Sequence, residues 1–185
     1  MRIHLTVNRI PSRAGKKPPD SIYVVVEIPK NSNIKYEVDV QNGILYVDRI
    51  LPTPITYPCN YGFIPNTMES DSNDPMDVFI MENESLLPFS VVSVRPIGVL
   101  LTEDQDGNDN KIIAVLDNSV DPEFSNIGNI SEIPQQFQRK LEYFVRHHKD
   151  LEEGKYVRLI GWEGKDVAAR MILESITRYQ NKLSK

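Results

Sequence analysis

Ile34-Lys35-Tyr36-Glu37-Val38-Asp39-Val40, then Gln41-Asn42-Gly43, then Ile44-Leu45-Tyr46-Val47-Asp48-Arg49-Ile50, reads as a β-hairpin: two runs of alternating apolar and polar residues around a turn. Loop length decides which side chains share a face, because one residue of slip moves a strand's whole set to the other side. A two-residue Asn42-Gly43 turn, which residue preference favours, sets Lys35 and Arg49 on opposite faces. A three-residue loop with Gly43 in the left-handed conformation pairs them. We take the three-residue loop, since two cations on one face are what a shared anion site requires.

Outward from the hairpin, Ile22 to Ile28 is a β-branched run stopped by Pro29, and further strands are expected at residues 78–80, 91–101, 112–116 and 155–160. Spacing near 3.6 residues predicts a helix over 133–147, with Phe137, Leu141, Phe144 and Val145 on one stripe. A second helix, over 166–181, carries Ala168, Met171, Ile172 and Tyr179. Residues 103–110 read as a polar loop. Strands closing on themselves with helices outside give a mainly β, α+β chain built on a barrel. No repeat, low-complexity tract or linker interrupts it, so residues 1–185 are expected to form one domain, with 1–20 as an N-terminal arm.

The chain has 185 residues, 25% charged and 40% hydrophobic, enough to bury a full core. No stretch approaches the ~18 apolar residues of a membrane span, and Met1-Arg-Ile-His-Leu-Thr lacks a signal-peptide core. The single cysteine, Cys59, cannot form an internal disulfide, which fits a cytoplasmic location. A net charge of −5 argues against a nucleic-acid binder, whose affinity comes from a basic surface. The one basic cluster, Arg13-Ala-Gly-Lys16-Lys17, is expected on a solvated part of the arm.

The chemistry concentrates in acids. Asp71-Ser-Asn-Asp74-Pro-Met-Asp77 is answered downstream by Asp104 and Asp109. Carboxylates packed this densely repel unless a cation sits among them, and they are preferred ligands of hard ions such as Mg²⁺. Lys35, Arg49, Tyr57, Tyr61, Lys111 and Lys149 are residue types that grip phosphate oxygens. Carboxylate-held metal facing a cationic wall equips a site for phosphoryl transfer. Singly, each residue has a plainer reading: acid-rich loops are commonly solvated turns, exposed ion pairs contribute little, and tyrosines are commonly core aromatics. An EF-hand reading of Asp71, Asn73 and Glu82 fails on Pro75 and on Met76 where glycine is needed.

Ile22-Tyr-Val-Val-Val-Glu27, Lys35-Tyr-Glu37, Val47-Asp-Arg49, Tyr57-Pro-Cys-Asn-Tyr61-Gly, Asp74-Pro-Met-Asp77-Val, Arg95-Pro-Ile-Gly and His148-Lys149-Asp-Leu-Glu occur in the order and at nearly the spacings of the family I (soluble) inorganic pyrophosphatases, bacterial type. The chain resembles that family from about Pro11 to its last helix. The resemblance implies a closed OB-like five-stranded β-barrel with two helices packed outside. It also implies Mg²⁺-dependent hydrolysis of pyrophosphate by direct attack of water, with several ions per site, in a homo-oligomer, typically a hexamer.

Under that resemblance Asp71, Asp77 and Asp109 hold the metal that activates water, Asp104 shares a further ion, and Glu27 assists another. Asp74 orients the water or takes its proton. Lys35 and Arg49 grip one phosphate, and Tyr61, Lys111, His148 and Lys149 the other, with Glu37 and Tyr57 in support. Two departures stand out. The family's Asp-Gly-Asp-Pro-x-Asp is one residue longer here, so Asp71 must reach the metal through a bulged loop or yield its place to Ser72. His148 replaces a phosphate-binding tyrosine, and a protonated imidazole there would make the KM for pyrophosphate rise between about pH 6 and 8. These departures leave a second expectation: a catalytically weakened homologue serving as a phosphate- or metal-binding partner protein.

Overall fold

The computed structural model describes residues 10–184. Strands β1 (Ile22–Ile28), β4 (Asn60–Phe63), β5 (Asp77–Met81), β6 (Val91–Asp104) and β8 (Lys111–Leu116) form the central sheet. Strand β1 pairs antiparallel with both β4 and β6, β4 with β5, and β6 with β8, while β5 and β8 run parallel. The ladder therefore returns to its start, which leaves no open edge among these five strands. This is the expected closed, OB-like five-stranded barrel. Helices α1 (Gln135–His147) and α2 (Lys165–Leu183) pack outside it.

Side-chain alternation sorts the core into two layers. Ile22, Val24, Val26, Val78, Ile80, Val94, Ile112 and Ala114 form one cluster, closed by Ala168 and Ile172 of α2. The opposite faces of β5, β6 and β8 present Phe79, Leu100 and Ile113 to Leu141, Phe144 and Val145 of α1, the stripe expected from helical spacing. Burying each large side chain contributes about 1.5–3 kcal/mol, so both helices are held by their apolar stripes rather than by propensity. Strand β6 outruns the ring and pairs with β9 (Val157–Gly164).

Strands β2 (Ile34–Asp39) and β3 (Ile44–Ile50) form a separate hairpin, with Lys35 opposite Arg49 and Gly43 at φ 64°. The pairing is the expected one, but its cause is different. The ladder runs unbroken from Asp39 opposite Ile44 to Tyr36 opposite Val47, which encloses four loop residues, Val40 to Gly43, rather than three. In that register Lys35 would face Asp48. A bulge expels Asp48 and restores Arg49 to the cationic face. The longer loop is set by Asp39, whose carboxylate accepts from the backbone N–H of Gln41 (2.9 Å) and Asn42 (3.0 Å).

Three other expectations are corrected. The segment 103–110 is no plain loop, because β6 continues to Asp104 and Gly107–Asn108 (β7) pairs back on it. Strand β4 was missed; it is short and contains Gly62, which breaks the apolar alternation. The basic cluster is only partly solvated. Arg13, Lys16 and Lys17 are exposed, but Ala14 is buried and its carbonyl accepts from Tyr23 N–H at 2.8 Å. Residues 1–9 of the expected arm, with the segment read for a leader, lie outside the described residues.

Gly62 is where backbone meets backbone: an added Cβ would lie 2.0 Å from the Val25 carbonyl oxygen. Gly62→Ala is therefore expected to pry β1 from β4 and lower stability by about 2 kcal/mol or more, read as a shifted urea midpoint. An unchanged midpoint would refute the close approach.

Candidate active site

The one parallel ladder in the ring sets Asp77 beside Lys111. Lys111 Nζ donates to Asp77 and also to Asp109, whose N–H donates to Thr102 O at 2.9 Å. Burial opposes the charge on Lys111, but Asp77 and Asp109 outweigh it and raise its pKa. Tyr61, next to Phe79 in the antiparallel ladder, lies with its ring centroid 5.9 Å from Lys111 Nζ. Tyr57 packs against Tyr61 and Phe144, with centroids 5.6 and 4.6 Å away. Burial raises both phenols above their ordinary pKa, so they are neutral donors.

The hairpin and the end of α1 supply the facing cations. Lys35 Nζ lies 2.5 Å from Glu37 Oε1 and 3.3 Å from Asp48 Oδ2, and Arg49 Nε lies 3.1 Å from Glu152 Oε1. Lys149 Nζ donates to Asp104 Oδ2 at 2.9 Å. That carboxyl is held below the usual range: burial works against ionisation, but the Lys149 hydrogen bond and charge outweigh it.

Two cavities adjoin. One, of about 260 Å³, is lined by Lys35, Arg49, Tyr57, Tyr61, Asp77, Asp104, Asp109, Lys111, His148 and Lys149. The other, of about 300 Å³, is lined by Glu27, Lys35, Glu37, Tyr61, Asp74 and Asp77. Because Lys35, Tyr61 and Asp77 belong to both, they divide a single cleft. Glu27 is 8% exposed, and its carboxyl is pushed up to about 8 by burial and then by Asp77. Its Oε1 accepts from Val38 N–H at 2.9 Å, which ties the barrel to the hairpin.

Asp71 stands apart from both cavities. Its carboxylate accepts from Asn108 N (3.1 Å) and Nδ2 (2.8 Å), which hold its pKa low. Ser72 Oγ accepts from Asp74 N–H at 3.2 Å, and Asn73 Oδ1 accepts from Lys182 Nζ at 3.1 Å. Several neighbours escaped sequence reading. Lys155 and Asp106 line the first cavity, Glu152 pairs with Arg49, and Glu69 is pushed up to about 7 by burial and then by Asp77. Glu152 closes the segment His148-Lys149-Asp-Leu-Glu but its residue type alone gives no sign of a partner, and only the folded arrangement brings the others in.

Among the described residues no three acids stand close enough to form a ready-made cation cage. The anionic groups on the second cavity's wall are nonetheless all carboxylates, Glu27, Glu37, Asp74 and Asp77, and the charge of Asp77 already disfavours ionisation of Glu27. That is the chemistry of a hard divalent cation rather than of zinc or copper.

A family model described as inorganic pyrophosphatase matches residues 24–180. The chain belongs to the inorganic pyrophosphatase family. It is 49% identical to an inorganic pyrophosphatase of Sulfolobus acidocaldarius, over 89% of this chain and 94% of that one. It is 46% identical to one from Agrobacterium fabrum, over 91% and 95%. The solved Helicobacter pylori enzyme superposes with a TM-score of 0.85 at 42% identity, covering 87% of this chain and 94% of that one. The Thermus thermophilus structure gives 0.87 at 36%, covering 92% and 97%.

Against the family pattern, His148 differs from expectation in charge. Its Nδ1 lies 3.1 Å from the carbonyl oxygens of both Phe144 and Val145, so that nitrogen carries the hydrogen and donates. The ring stacks on Phe144, with centroids 4.8 Å apart, and its pKa is pushed down to about 4 by burial and then by Lys149. His148 is thus neutral at pH 6–8, and the expected titrating phosphate donor is corrected to an imidazole whose Nε2 is an acceptor.

Because this pKa lies below the ordinary 6.5, the unfolded chain binds the extra proton first, and the folded state loses stability as pH falls from about 6.5 towards 4. A His148→Phe variant is expected to lose less stability than the wild type between pH 7.5 and 5, measured by urea unfolding. Equal losses would contradict the burial assigned here.

Proposed function

We propose that this chain hydrolyses inorganic pyrophosphate to two orthophosphates by direct attack of water, with Mg²⁺ as cofactor and no phosphoenzyme. Kinship at 41–49% identity over most of the chain supports an inorganic diphosphatase. The observation that carries the reading is the divided cleft, where Lys35, Tyr61 and Asp77 stand between a half in which Arg49, Lys111 and Lys149 alternate with Asp104 and Asp109 and a half that is acidic. We read the whole chain as one domain acting in the cytoplasm as a homo-oligomer, a hexamer. Exposed Ile44, Val47 and Ile50 on the hairpin supply apolar surface for such association. Among the described residues no helix is long and apolar enough to cross a membrane.

In this mechanism Lys35 and Arg49 hold one phosphate, and Tyr61, Lys111 and Lys149 the other, with His148 against the wall. Asp77, Asp109, Asp104 and Glu27 would hold magnesium, and Asp71 would join them only if its loop moves inward from Asn108. Bound magnesium supplies positive charge to phosphate oxygens and acidity to water. Asp74 orients the water and accepts its proton as the new P–O bond forms and the bridging P–O bond breaks. The charge on the departing phosphate spreads over cations already in place. Glu37 holds Lys35, and Tyr57 holds the aromatic floor beneath Tyr61.

The position of Asp71 outside the cleft favours one competing reading, a weakened homologue acting as a binding partner protein. Phosphate release from pyrophosphate separates the two. The enzyme reading expects turnover with Mg²⁺ and none without. It also expects Asp77→Asn to raise the Mg²⁺ requirement, and Asp74→Asn to lower the rate even at saturating metal. Tight pyrophosphate binding without turnover would favour the partner-protein reading, and equal rescue of both variants by excess Mg²⁺ would undo the separate roles.

A further inference from the structure

Helix α2 does more than cover the barrel. Ser175 sits mid-helix with 0% exposure, on the stripe where Ala168 and Ile172 bury apolar surface. A mid-helix serine commonly bonds the carbonyl one turn back within its own helix. Here the hydroxyl reaches Met68 instead: Ser175 Oγ accepts from Met68 N–H at 2.8 Å and donates to Met68 O at 2.9 Å. Arg178, one turn on, donates from Nε to the same carbonyl at 2.9 Å. Lys182, a further turn along, donates to Asn73 Oδ1 at 3.1 Å.

These three residues fall on one helix face and grip one segment, residues 68–73, which leads into Asp74 and Asp77. The segment is also closed on itself. Met76 N–H donates to Thr67 Oγ1 at 2.9 Å, and Glu69 N–H donates to Asp74 O at 2.9 Å. The acid loop is therefore a small closed unit, tied to α2 at Met68 and Asn73 and to β7 where Asp71 accepts from Asn108. The Arg178 charge also acts on the carboxyls of Glu69 and Asp71.

We propose that Ser175 and Arg178 are positioning residues that set the divalent-cation affinity of the acid loop by clamping Met68, with Lys182 steadying Asn73. The inference rests on the proposed metal-dependent function but concerns residues that touch neither substrate nor metal. Losing the clamp frees residues 68–73 and with them Asp74, whose carboxylate then no longer points steadily into the cleft beside Asp77, which β5 holds in place. Metal binding must then order what the helix ordered before, and its affinity falls.

The test is calorimetric titration of Mg²⁺ into the whole purified chain, well below the unfolding midpoint. Arg178→Met keeps most of the aliphatic stem but removes the donor, and it is expected to weaken Mg²⁺ binding roughly ten-fold, with Ser175→Ala moving the same way. Arg178→Lys, which restores a donor, should recover part of the loss. Ile172→Val in the same helix supplies the stability control: it should lower the midpoint without changing the Mg²⁺ Kd. Wild-type binding with unchanged Kd in both Arg178→Met and Ser175→Ala would overturn the inference alone, as would an equal weakening in Ile172→Val. Absence of Mg²⁺ binding by the wild type would overturn the proposed function and this inference together.

Discussion

The contact on which the site depends is the ammonium of Lys111 lodged between Asp77 and Asp109. It exists because β5 and β8 run parallel and in a register that puts Asp77 directly beside Lys111. A largely buried cation is costly to desolvate, and two carboxylates at hydrogen-bond range are what keep it charged. Under the proposed function the same carboxylates would also hold a metal ion. Any divalent cation they accept must share them with, or displace, the ammonium. A phosphate oxygen entering the cleft offers Lys111 a replacement partner, so binding of metal and of anion are linked through one side chain.

The rest of the cleft is assembled around that centre by elements tied to one another through side-chain hydrogen bonds. The hairpin is fastened by Val38 N–H to the buried Glu27 carboxyl, and Arg49 by Glu152. Lys149 is fixed by Asp104 at the end of β6, and the aromatic group of Tyr57, Tyr61 and Phe144 forms the floor. Each cation that would grip phosphate is thus held by a carboxylate until substrate arrives. This keeps long side chains ordered and lowers the entropic cost of binding.

Much of this was legible in the chain. Most strand and helix positions follow from periods of two and 3.6, and the acids and cations group by residue type alone. What escaped reading depends on contacts between distant segments. Lys35 faces Arg49 through a compensating pair, a loop one residue longer than expected and a bulge at Asp48, and local preference cannot show two offsetting irregularities. His148 was read by its ordinary pKa, whereas its charge is decided by burial against Phe144 and by two backbone carbonyls. Ser175 carries no signal in the sequence, because its partner Met68 lies far away along the chain. Glu69 gave no signal at all, since its environment comes from Asp77 across the fold.

The central claim is that Lys111 and a divalent cation compete for Asp77 and Asp109 while Lys111 also serves the anion. Titration of Mg²⁺, and separately of pyrophosphate, into wild type and Lys111→Met by calorimetry tests it directly. Removing the ammonium should tighten Mg²⁺ binding in the absence of pyrophosphate and weaken pyrophosphate binding. Mg²⁺ binding that is unchanged or weaker in Lys111→Met would contradict the account.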